Sequence, residues 1–214
     1  MVMLNQRFAA PRAGTSGKKT KSVAKAVPEV MLEISLRHIK PRIWRGFSVP
    51  GNIRLDRLHD VMQAVMGWTN SHLHAFRIGH HEYHQADPND SGWQQTMSDT
   101  VIHDESKYTL RDLIQAAGDK FSYTYDFGDD WEHDVKVKAI LPATKRMKTA
   151  TCHRGARACP PEDCGSVPGY YELCEALPNP KHPEHKHWKG WIGDYDPNHF
   201  DVDDVNLRLS VVKV

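Results

Sequence analysis

Between Phe121 and Leu141 the chain alternates apolar and polar residues with a period of two on both sides of a short Gly-Asp turn. Phe121, Tyr123, Tyr125 and Phe127 alternate with Ser122, Thr124 and Asp126, and beyond Gly128-Asp129 the positions Val135, Val137 and Ala139 repeat the pattern within Trp131 to Leu141. Successive side chains of a strand point to opposite faces, so each run is a half-buried strand, and the turn between them makes an antiparallel hairpin. A hairpin is unstable by itself in water, so the remaining chain must supply more strands and a layer over the apolar face.

The other segments supply both. Val30, Leu32, Ile34 and Leu36 alternate with Glu33, Ser35 and Arg37 as a first strand; Ile43 to Val49 reads as a second, ending at Pro50-Gly51. Asn52 is positioned to cap a helix with the apolar stripe Leu55, Leu58, Val61, Met62, Val65 and Met66, and Gly67 stops it. A strand follows from His72 to Gly79, then a polar stretch to Ser106 that holds one short strand at Glu82 to His84. Thr109 and Asp112 form a capping box for a helix with Leu110, Leu113, Ile114 and Ala117 inward, ended by Gly118. After an irregular stretch to Val167 come three short helices, marked by Tyr170/Leu173/Cys174/Leu177, by Pro183 in a first turn, and by Val202/Val205/Leu209. Strands and helices mix without a βαβ rhythm. The expected class is α+β, a single mostly antiparallel sheet with helices packed on it.

Charge divides the chain in two. Residues 1–28 contain Arg7, Arg12, Lys18, Lys19, Lys21 and Lys25 and no acid, while the rest carries 22 basic against 27 acidic residues. The tail has no apolar period, so residues 1–28 are expected to be a disordered basic tail and residues 29–214 the folded domain. A basic tail can make weak, nonspecific DNA contact, although a solubilising extension is the plainer reading; the acidic body argues against broad binding to a phosphate backbone. No apolar run reaches the roughly 20 residues that span a bilayer, and no signal-peptide core is present, which points to the cytoplasm and to four cysteines used as thiols or ligands.

Three clusters carry candidate chemistry. Asp126, Asp129, Asp130 and His133 crowd the hairpin turn, and Glu162 and Asp163 follow on a Pro160-Pro161 loop; carboxylates and an imidazole could bind a divalent cation or transfer protons. The plainer reading is a polar turn, because Asp and Gly suit turn geometry. Cys152, Cys159 and Cys164 are candidate zinc ligands, yet no CxxC knuckle occurs and Cys174 lies on an apolar helix stripe, so thiols packed under a stiff loop explain them as well. His72, His74 and His80 share a strand face if the alternation holds, with His81 and His84 at its end; His182, His185 and His187 accompany Trp188 and Trp191.

The segments IKPRIWRGFSVP, LHDVMQAVMGWTNSHLHAFRIG, YDFGDDWEH, RACPPEDCGSVPGY and WIGDYDPNHFDVDDVNLRL, spread over about residues 30–209, resemble the plasmid pRiA4b ORF-3-like family. The resemblance implies an origin on plasmids and mobile elements, where some members are labelled resolvases or transposon passengers, but no established activity. The residues do not support that label. Ser16 and Ser22 lie in the tail, no basic recognition helix follows Ser35, and the His74-Ala-Phe-Arg77 string has a strand period where a tyrosine recombinase needs a helix. The expectation is therefore a non-catalytic accessory module with a protein or nucleic-acid partner and no cofactor. Its rival is a metal-dependent, hydrolytic enzyme using zinc or another divalent metal at the Asp126–His133 turn and the Cys152–Cys164 loop.

Overall fold

The computed structural model describes residues 27–86, 99–142 and 147–214. The expected disordered tail lies outside the described residues apart from Val27 and Pro28, as does the middle of the polar stretch before Ser106. In chain order the elements are β1 (Glu29–Leu36), β2 (Trp44–Pro50), α1 (Leu55–Met66), β3 (His74–Ile78), β4 (His81–His84), β5 (Val101–Asp104), a 3-10 turn (Glu105–Lys107), α2 (Leu110–Leu113), β6 (Lys120–Tyr125), β7 (Trp131–Leu141), β8 (Thr151–Ala156), α3 (Ser166–Ala176), α4 (His185–Ile192) and α5 (Val202–Leu209).

The strands form one sheet in the order β5-β4-β3-β6-β7-β1-β2-β8. Every neighbouring pair is antiparallel except β4 and β5. The α+β class and the mostly antiparallel sheet are as expected. The β6–β7 hairpin lies at its centre, with Tyr125 opposite Trp131, and β1 fills the place between β7 and β2.

One face is buried. Val30, Leu32, Ile34 and Leu36 of β1, Phe121, Tyr123 and Tyr125 of β6, and Trp131, Val135 and Val137 of β7 share the core with the α1 stripe. The opposite face carries ion pairs between strands: Arg37 with Glu132 and Asp134, and Glu33 with Arg42 and Lys138. Helix α1 ends at Gly67, whose φ of 104° is open to glycine and strained for other residues. The last carbonyls of α1 face two arginines. Arg208 Nε donates to Ala64 O at 3.0 Å, and the buried Arg45 Nε donates to Val65 O at 2.9 Å. Cations there complement the negative end of the helix dipole.

Several local readings need correction. The N-cap of α1 is Arg54, not Asn52, and no side chain caps it; Leu55 N donates instead to Tyr108 O at 3.0 Å. Helix α2 is a single turn, its capping box present as Asp112 accepting from Thr109 N at 2.6 Å. It stops at Leu113 because the Asp119 carboxylate takes Gln115 N and Ala116 N, at 2.7 and 2.9 Å, out of any helix. Phe127 is exposed, because the turn begins one residue earlier, at Asp126 with φ 57°. The stretch before Val167 contains strand β8, an edge strand paired with β2.

Candidate functional site

Two segments converge on His72, which lies just before β3. The first is the β6–β7 turn. Asp126 follows the last residue of β6 in a left-handed conformation that Asp tolerates better than most residues. Its N–H donates to Leu73 O at 2.8 Å, which ties the turn to the His72 segment, and its Oδ1 accepts from Gly128 N at 2.8 Å. The buried Oδ2 stands 3.7 Å from His72 Nε2.

The Pro160-Pro161 loop supplies the next two groups. Trp68 Nε1 donates to Pro160 O at 3.0 Å and docks the loop on the Trp68–His72 segment. Glu162 is held by Thr69 N at 2.8 Å, Thr69 Oγ1 at 3.0 Å and Tyr125 Oη at 3.1 Å, which leaves Oε2 3.9 Å from His72 Nε2. Asp163, at φ 54°, turns Oδ1 to 3.1 Å from the same nitrogen. His72 Nε2 is buried yet has no well-aligned hydrogen bond. Among the described residues, His72, Asp126 and Asp163 are the one set of three potential metal ligands whose atoms all lie within 4.8 Å of one another.

On its other side His72 lines a cleft of about 380 Å³, together with His59, Asp60, Asn70, His74 and Glu105. Two rings stack in its wall: His59 and His74, with centroids 3.4 Å apart and planes within 6°. The partners of His59 fix its tautomer. Asn70 Oδ1, at 2.7 Å, can only accept, so His59 Nε2 carries the proton; Nδ1 then accepts from the Tyr123 hydroxyl at 2.8 Å. Tyr123 Oη accepts from Gln63 Nε2 at 3.0 Å, and Gln63 Oε1 accepts from Asn70 N at 2.9 Å, closing the ring of bonds. Burial and the neighbouring His74 push His59 down to about 4, and burial of Tyr123 pushes its hydroxyl well up. His74 Nε2 meets Glu105 Oε2 at 2.7 Å in a nearly solvent-free pair. Desolvation raises Glu105 to about 7 and lowers His74 to about 4, so the two groups hold one proton between them across the interval.

The remaining sequence candidates lie elsewhere or act locally. Asp129 Oδ2 accepts from Gly165 N at 3.1 Å and fastens the α3 entry to the hairpin; Asp130, at φ 54°, closes the turn through its N–H to Asp126 O at 2.6 Å. His133 points into the core, donates from Nδ1 to Tyr123 O at 3.0 Å and is held neutral by burial, its pKa lowered to about 4. Cys152 is on β8, Cys159 and Cys164 are on the Pro160-Pro161 loop, and Cys174 is on α3. All four are free thiols that burial keeps protonated, with Cys164 pushed up to about 12, and none belongs to the set around His72. His81 Nδ1 contacts His103 Nε2 at 2.9 Å on the β4–β5 edge; His185 donates to Ala176 O at 2.9 Å beside the buried Trp188. In the His74-Ala-Phe-Arg77 string, His74 is buried and Arg77 is exposed, paired with Glu82. The two side chains serve different surfaces.

Sequence reasoning missed His59, Asn70 and Glu105 as cleft residues, and Tyr123 as the buried support behind His59. A signal existed for His59 and Gln63: both fall on the buried stripe of α1, where a polar residue demands a partner. Glu105 reaches His74 across 31 positions without any local pattern.

Comparison with known proteins places this geometry among uncharacterised relatives. The model of the "Plasmid pRiA4b ORF-3-like protein" family matches residues 29–204. "Uncharacterized protein y4hQ" of Sinorhizobium fredii is 41% identical over 174 residues, 78% of this chain and 83% of that protein. The crystal structure of "Protein of Unknown Function MM3350" from Methanosarcina mazei Go1 aligns with a TM-score of 0.72 and 32% identity, covering 84% of this chain and 98% of that one.

Proposed function

The chain belongs to the plasmid pRiA4b ORF-3-like family, and on that premise we propose that it is an accessory binding module of the plasmids and mobile elements that carry such proteins. It works in the cytoplasm and holds a small polar ligand in the cleft between α1, β3 and the 3-10 turn. The observation that supports this reading is the preorganisation of the cleft wall. Both nitrogens of His59 are engaged, its ring is stacked on His74, and the bonds through Tyr123, Gln63 and Asn70 close on themselves. A rigid wall of imidazoles and amides, rimmed by the acids Asp56, Asp60 and Asp104, beside an open volume suits recognition, because little ordering is required on binding.

The test uses the full chain, 15N-labelled, titrated with imidazole, adenosine and acetamide as probes of planar polar ligands. The expected result is saturable shifts that cluster at Asn70, His74 and Glu105 and vanish in Asn70→Leu. Shifts spread over the surface, or unaltered in Asn70→Leu, count against the cleft.

A metal-dependent hydrolytic enzyme is the second reading. It is favoured by the carboxylates gathered on His72 at the edge of the same cleft, since a cation there would supply the activated water that no side-chain nucleophile replaces. Turnover of an activated ester that requires added cation and is lost in Asp163→Asn would favour this reading over the first.

A further inference from the structure

We propose that His72, Asp126 and Asp163 form a binding site for one divalent transition-metal ion, of the zinc or manganese class, with Glu162 as the outer carboxylate that positions the loop. The site goes beyond the ligand-binding reading of the cleft, with which it shares only His72, and it supplies the ion that the metal-dependent reading requires.

Three independent features point to a cation. The first is spacing. Ligands on one such ion lie about 2.0–2.2 Å from it, so neighbouring donors are roughly 3 Å apart and opposite donors roughly 4.2 Å. His72 Nε2 is 3.1 Å from Asp163 Oδ1 and 3.7 Å from Asp126 Oδ2, and the whole set lies within 4.8 Å, so only a small closure is needed. The second is charge. Asp126, Glu162 and Asp163 crowd one point, and the side chain of Asp126 is only 8% exposed. Among the described residues no lysine or arginine nitrogen lies within 4.0 Å of any of them; their one basic neighbour is His72. A buried carboxylate such as Asp126 without a full counter-charge is costly, and a dication would offset that cost and the repulsion among the three acids. The third is an orphaned atom. His72 Nε2 is shielded from water and lacks a well-aligned partner, while a neutral imidazole offers a lone pair there.

The supporting contacts resemble the outer shell of a metal centre. Glu162 is fixed by Thr69 and Tyr125, and Asp126 by Gly128 N and Leu73 O, so the donors are positioned before any ion arrives. The donor set of one nitrogen and carboxylate oxygens excludes a thiolate-selective ion. Three protein ligands leave open positions for water or a ligand, as in catalytic rather than structural sites. An ion would also join the loop before α3 to the β6–β7 turn, which no covalent link does.

The experiment is calorimetric titration of chelator-treated full-length protein with Zn²⁺ and with Mn²⁺, repeated on Asp163→Asn, His72→Gln and a control, His185→Gln. Asp163 is 66% exposed, so its variant is expected to fold normally, which a melting curve checks. The proposal expects one ion per chain, affinity at least tenfold weaker in Asp163→Asn and His72→Gln, and no change in His185→Gln. Cobalt loading should give d–d bands without thiolate-to-metal charge transfer. Unchanged affinity in Asp163→Asn, a charge-transfer band that assigns the ion to the cysteines, or no saturable binding below millimolar metal would overturn it.

Discussion

Arg45 shows how much one buried side chain can organise. It is almost fully enclosed, yet among the described residues no carboxylate pairs with it; its donors reach Val65 O at 2.9 Å, Trp44 O at 2.8 Å, Ala156 O at 2.9 Å and Arg157 O at 2.7 Å, and its guanidinium lies 4.6 Å over the Phe200 ring. Burial lowers its pKa, but the end of α1 and the carbonyl dipoles compensate the charge. Arg45→Met should therefore leave these carbonyls unpaired and cost about 3 kcal/mol or more in a urea melt, against about 0.5 kcal/mol for the exposed Arg77→Met. The buried imidazoles make a second prediction. His59 and His133 are lowered from 6.5 to about 4, so the unfolded chain binds their protons first as pH falls. Stability should drop from about pH 6.5 towards pH 4, by roughly 3 kcal/mol per ring. Glu105 acts oppositely: raised from 4.5 to about 7, it stabilises the fold fully below 4.5 and loses that contribution as pH rises through 7. His133→Phe should reduce the acid-side slope by one proton; an unchanged slope would show that the ring is not held neutral.

At the scale of elements, the entry to α3 depends on a close approach. A Cβ at Gly169 would fall 1.9 Å from Cys164 O, so the first turn of the helix can pack on the preceding loop only without a side chain there. Gly169→Ala should displace the loop that carries Glu162 and Asp163, lowering the melting temperature by several degrees and weakening metal binding together. For comparison Asp201→Ala, which removes the α5 cap to Asp203 N at 2.8 Å, should cost about 1 kcal/mol and leave that loop alone. Elements with a strong period were legible in the sequence: β1, β6, β7 and α1 repeat their apolar residues at 2 or 3.6 positions. Val101–Asp104 and Thr151–Ala156 are strands without such alternation, since each is an edge strand with mainly half-exposed or exposed residues, and backbone pairing alone makes them strands. Of the polar candidates, Asp126, Glu162 and Asp163 were legible as a crowd of acids on turns. Their common neighbour was not, because His72 looked like a member of a strand face with His74 and His80.

At the scale of the whole molecule, charge and architecture separate possible partners. The six bases of residues 1–28 oppose an acidic body, so duplex binding should fall with salt by about 0.9 in log K per log unit for each phosphate engaged, and deletion of residues 1–28 should abolish it. Tight binding by the truncated chain would make the sheet or cleft a nucleic-acid reader. No helix among the described residues is long and apolar enough to cross a membrane. The place of β1 in the sheet has a further consequence, for how the protein is made. Its partner on the central side is β7, in a register that pairs Glu29 with Leu141, so a ribosome must release more than a hundred further residues before the strand is covered on both sides. Until then β1 and β2 are an apolar ribbon with an open edge, the kind of nascent segment that chaperones shield. Folding should consequently be slow for a domain of this size, in milliseconds to seconds, and chains stalled before β7 should be found with trigger-type holdases rather than as a folded N-terminal half.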